Sequence, residues 1–119
     1  MSLAAVKDMG HHEVKYAKIV GAASADTVVA AAVSGKRIVV ISYIACSTGN
    51  VSVKFGSFDG SSTYTDLTGV MVIKGSSDSG LDADWNPDGH FQTLVGEALT
   101  INNAHGSNVV GGHLTYYET

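Results

Sequence analysis

Five histidines, a cluster of aspartates and a single cysteine are the residues of this 119-residue chain whose chemistry goes beyond packing. A transition-metal centre needs three protein ligands that converge. His11 and His12 are adjacent, so on a strand they point to opposite faces. His90, His105 and His113 are far apart in the chain and contain no H-x-H pair. A hard cation takes clustered carboxylates instead, and "LDADWNPDG" offers Asp82, Asp84 and Asp88. Asp84, Asn86 and Asp88 followed by Gly89 open like an EF-hand loop, but Val95 stands where the bidentate Glu belongs and Pro87 interrupts. No metal is expected, with an irregular calcium site at Asp82, Asp84 and Asp88 as the alternative to a solvated turn.

Nucleophilic chemistry has no better footing. The serines include no G-x-S-x-G elbow, and Cys46 lies in an apolar run, where a free thiol behaves as a small buried hydrophobe. Glu97 and Asp88 could pair as acid and base, but their spacing gives no separation to judge. "VVGGH" has no lysine to reach a phosphate, so the pair Gly111-Gly112 reads as a bulge or hairpin turn. Tyr64 and Trp85 offer rings on which a glycan could stack, and the plainer reading of Trp85 is a loop anchor. No catalytic residue and no cofactor are expected; the chain is not read as an enzyme.

Composition bounds the rest. The length fits one domain, and 45% hydrophobic residues make it globular. Only 15% of residues are charged, against a typical ~25%, which suggests that other copies of the chain cover part of the surface. All seven Lys and Arg lie in residues 1–74 with five acids, whereas residues 75–119 carry six acids and no base. That distribution offers no basic stripe for nucleic acid and argues against anionic membranes. The first residues contain no apolar segment followed by a small-residue cleavage site, so synthesis in a cytoplasm is expected. One cysteine permits no internal disulfide.

The elements that must position these residues read as strands. Residues 14–19 form a first candidate and residues 27–31 a second. Residues 37–46, "RIVVISYIAC", make the strongest, apolar on both faces and so suited to the middle of a sandwich or a subunit interface. In residues 51–55, Val51, Val53 and Phe55 alternate with Ser52 and Lys54, the mark of a half-buried strand. Short strands follow at 64–67 and 70–73. Residues 74–89 read as a long exterior loop, followed by strands at 90–94, 97–102, 108–110 and 112–118. About eight short strands with frequent turns predict an all-β, antiparallel β-sandwich with little or no helix.

The order of these segments resembles a group of small tailed-bacteriophage virion proteins. Lys36-Arg37 opens a long apolar strand, "VSVKF" follows at 51–55, "NPDGHFQTLVGEAL" spans 86–99, and "VGGHLTY" closes at 110–116. The resemblance covers residues 26–118 and implies a jelly-roll capsid decoration (cement) protein or a related virion module. It implies a homotrimer, bound to the major capsid protein on the capsid surface after synthesis in the bacterial host cytoplasm, that stabilises the shell. Related domains occur in spikes and fibres, so a glycan-binding module of the virion is the alternative role. Residues 1–25 then form an N-terminal arm or a first strand ahead of the sandwich at 26–119. Lys7, His11, His12, Lys15, Tyr16 and Lys18 are the expected capsid contacts, and Tyr64 and Trp85 the expected glycan contacts.

Overall fold

A computed structural model describes residues 12–75 and 80–119. The described residues contain ten strands and no helix. These are β1 (Lys15–Gly21), β2 (Ala25–Ala30), β3 (Ile38–Ser47), β4 (Val51–Phe58) and β5 (Tyr64–Asp66), then β6 (Met71–Ile73), β7 (Leu81–Ala83), β8 (Phe91–Gln92), β9 (Ala98–Asn103) and β10 (Val110–Glu118).

Every pairing is antiparallel. Sheet A runs β1-β10-β3, with β7 and β8 both on the outer edge of β3; sheet B runs β2-β9-β4, with β5 and β6 both on the edge of β4. Counting each divided edge as one strand gives eight strands in two interleaved sheets, the jelly-roll arrangement. The eight jelly-roll strands number ten because the edges beside β3 and β4 are each broken into two short pieces. Short edge strands present little unpaired backbone to a second sheet.

Alternation sets the core. Val51, Val53 and Phe55 of β4 are at most 2% exposed and meet Leu99 and Ile101 of β9 beside Ile19, Val40 and Leu114 of sheet A. Phe55 also joins the sheets through aromatic contacts, with Tyr43 at 5.3 Å and Phe91 at 5.0 Å between ring centres. Burial, with Asp82 nearby, raises the Tyr43 hydroxyl above the usual tyrosine range.

The two-sided apolarity of β3 has a local cause. Register slips by one residue between Thr115 and Tyr116, which leaves Ile41 as the extra residue of a bulge. Ile38 and Val40 enter the main core. Val39 and Ile41 form a second, smaller cluster with Val14, against which Tyr117 packs. Half of the outward face of β3 is therefore covered by the chain itself.

Three readings from sequence are corrected here. The pair Gly111-Gly112 is neither turn nor bulge: it lies inside β10, opposite Cys46 and Ala45. A side chain at position 112 would strike the Ile44 carbonyl oxygen and the Ala45 Cα, so glycine is required by the close approach of two strands. Cys46 is exposed rather than buried, because it shares the outward parity of Ile44. The stretch read as one long exterior loop contains β7, whose Leu81 packs on the core.

Candidate docking surface

The outward face of sheet A presents three cross-strand rows. Register places Tyr16 of β1 beside Thr115 of β10, and Thr115 beside Ser42 of β3; the Ser42 and Thr115 hydroxyls hydrogen-bond. The next row is Lys18, His113, Ile44 and Asp82. The third is Val20, Gly111 and Cys46. Directly opposed side chains such as these form one continuous surface.

Three large apolar side chains stand exposed on this face. Tyr16 is 69% exposed, Val20 61% and Ile44 44%. Their parity partners Ile19, Ala45 and Leu114 are at most 1% exposed on the inner side, so packing within the chain does not require large apolar groups outside. Exposed apolar groups of this size are candidate contact points; Lys18 stands between Tyr16 and Val20, and β10 separates both from Ile44. Here the polar groups are Lys18 and His113 on one side of Ile44 and Asp82 on the other.

The residues expected to contact a capsid separate into three groups. Lys7 and His11 lie outside the described residues. His12 and Lys15 are engaged with β10: the His12 ring stacks on Tyr117 at 4.4 Å, and Lys15 Nζ donates to Glu118 Oε1 at 2.7 Å. Tyr16 and Lys18 project outward from β1 and remain open to a partner. Sequence reasoning missed Val20, Ile44 and His113. Their signal was the alternation along β1, β3 and β10, which becomes readable once the bulge at Ile41 resets it.

The acidic stretch is a shaped loop between β7 and β8. The Asn86 N–H donates to the Ile41 carbonyl at 2.8 Å, and the Gly89 N–H donates to the Asn86 carbonyl at 2.9 Å. Asn86 Oδ1 accepts from the Asp88 N–H at 3.0 Å, and Gly89 has φ of 89°. Proline at the second turn position and glycine at the fourth match what such a turn requires. His90 Nε2 donates to the Asp84 carbonyl at 2.7 Å, and the Tyr117 hydroxyl donates to the Pro87 carbonyl at 3.4 Å. Among the described residues no three His, Cys, Asp or Glu side chains are gathered to hold a metal. Asp82, Asp84 and Asp88 thus do not converge.

Trp85 and Tyr64 belong to different sheets. Trp85, 48% exposed, belongs to the loop on the sheet A edge. Tyr64 belongs to β5 of sheet B, where its ring lies flat on Phe58 at 4.3 Å and 13°. His90, His105 and His113 are likewise dispersed: His105 Nδ1 accepts from the Ser107 and Asn108 N–H groups, and His113 stands in the middle of sheet A.

No protein-family model matches the chain, and no curated protein matches it. Among solved structures, one similar chain is described by the words "Bacillus endospore appendages form a novel family of disulfide-linked pili". The two share 16% identity over 92% of this chain and 89% of that one, with a TM-score of 0.49. The jelly-roll assignment rests on the strand order itself.

Proposed function

We propose that this chain is a structural, non-enzymatic protein of a tailed-phage particle, docking on the outside of the capsid through the outward face of sheet A. The observation that carries the reading is the exposure of Tyr16, Val20 and Ile44 on β1 and β3, the two strands that flank β10 on one face. The sequence resemblance supplies the partner, the major capsid protein, and the homotrimeric state.

The mechanism is linkage. A protein that binds the assembled shell and not its separated subunits stabilises assembly by mass action. Burial of Ile44, Val20 and the Tyr16 ring supplies the apolar part, at roughly 25 cal/mol per Å² removed from water. Lys18, His113 and Asp82 fix orientation, since charged rims set specificity more than affinity. A trimer presents three copies of the face at once, so a weak single contact becomes a durable one.

The test is cosedimentation of the purified chain with heads of the parent phage stripped of it. Binding that Ile44→Lys abolishes supports the reading. Binding that survives both Ile44→Lys and Tyr16→Ala overturns it.

A further inference from the structure

Sheet B carries a hollow of about 170 Å³ on its outward face, remote in the fold from the docking rows of sheet A. Its floor is Thr100 of β9 beside Gly56 of β4, which are register partners. A Cβ at position 56 would lie 3.1 Å from Thr100 Oγ1, so the glycine keeps the hydroxyl uncovered. Thr100 is 1% exposed, yet its hydroxyl has no hydrogen-bond partner among the described residues while lining the hollow. Its oxygen is not sealed off, so a ligand in the hollow can reach it.

The walls are polar and carry one net negative charge, from Asp26 and Asp66 against Lys54. Asn102 Nδ2 donates to Asp26 Oδ1 at 3.1 Å, and Lys54 Nζ pairs with Asp66 at 3.0 Å. Asp26 keeps a second carboxylate oxygen, and Asn102 its amide oxygen, outside these bonds. The lone cation is already paired, which disfavours a phosphate. Tyr64 forms the rim, 44% exposed and held flat by Phe58. Hydrogen-bond donors and acceptors, one free carboxylate oxygen among them, beside a fixed aromatic ring suit a neutral polyhydroxyl ligand.

We propose that this hollow is a carbohydrate subsite that takes one hexose ring. Thr100 Oγ1, Asp26 and Asn102 engage the sugar hydroxyls, and Tyr64 stacks on the C–H face. The inference is independent of shell docking, because it uses the opposite sheet.

The experiment is an amide NMR titration of the whole chain with methyl glucoside, methyl galactoside, methyl mannoside and N-acetylglucosamine, and separately with calcium chloride. At least one sugar is expected to shift the Gly56, Thr100 and Asn102 signals saturably. Thr100→Val preserves shape in a strand and is expected to weaken that binding about tenfold, the scale for losing a polar contact in a built site. Asn102→Ala serves as the second variant. Absence of saturable shifts with all four sugars overturns the proposal, as does unchanged affinity in both variants. Shifts produced by calcium alone also overturn it, in favour of a cation site.

Discussion

Thr93 and Ile38 hydrogen-bond to each other twice. The Thr93 N–H donates to the Ile38 carbonyl at 2.9 Å, and the Ile38 N–H donates back to Thr93 Oγ1 at 2.9 Å. A side chain thus completes the sheet A ladder just beyond β8, with Thr93 at 0% and Ile38 at 1% exposure. Thr93→Val keeps the shape but leaves the buried Ile38 N–H unpaired. The expected cost is about 2 kcal/mol, read as a lower denaturant midpoint; Thr93→Ser should recover most of it.

Asn103 joins three segments from inside the protein. Its Nδ2 donates to the Gly21 carbonyl at 3.2 Å and the Asn108 carbonyl at 2.8 Å, and its Oδ1 accepts from the His105 N–H at 3.0 Å. Asn103→Leu fills the same space without these bonds. A loss of about 3 kcal/mol is expected, with hydrogen exchange accelerating first at Asn108 and His105.

Gly112→Ala tests the close approach of β10 to β3. The added methyl meets backbone atoms of Ile44 and Ala45, which cannot swing aside as a side chain does. Destabilisation of about 3 kcal/mol is expected, the upper end for overpacking. Gly111→Ala, whose side chain would face open space above sheet A, should be mild by comparison in the same thermal melt.

Asp59 gives the turn between β4 and β5 a pH dependence. Its Oδ1 accepts from the N–H groups of Ser61, Ser62 and Thr63, which lowers its pKa from 3.8 to about 2. A carboxyl depressed by folding stabilises fully above its ordinary value, and that contribution disappears as pH falls through about 2. Amide signals of residues 61–63 should hold down to about pH 4 and titrate with a midpoint near 2. Asp59→Asn should flatten that titration while leaving the turn in place.

Cys46 offers a probe of the proposed docking. It is exposed on the same face as Ile44 and Val20, so a maleimide should label it in the free protein. Bound to shells, the thiol should be protected. Ile44→Lys should abolish both binding and protection while changing unfolding free energy by less than about 0.5 kcal/mol, as for an ordinary surface substitution.

Much of the architecture was legible because burial follows parity. In β4 the alternation of Val51, Val53 and Phe55 with Ser52 and Lys54 states both strand and face. Leu114 and Tyr116 likewise mark the inner side of β10, and His113 and Thr115 the outer. Legibility failed where two chain segments must meet before a residue has an environment. Gly112 is glycine because of Ile44, 68 positions away by number, and nothing around it says so. Ile41 and Cys46 both sit in an apolar run, yet a bulge covers one and leaves the other outside. The hollow of sheet B gathers Asp26, Lys54, Asp66 and Thr100 from four strands, so no local motif could announce it.

The pairing of β1 with β10 sets a schedule for synthesis. Lys15 and Glu118, 103 positions apart, close the same ladder, and β2 likewise waits for β9. Until the ribosome has delivered β9 and β10, the two earliest strands have no neighbours and the middle of each sheet is missing. Such long-range pairing makes folding slow, on the order of milliseconds to seconds, and leaves apolar strands such as β3 open to wrong partners meanwhile. A nascent chain stalled just before residue 98 should therefore be protease-sensitive throughout, then become resistant in a single step once the last strand is released.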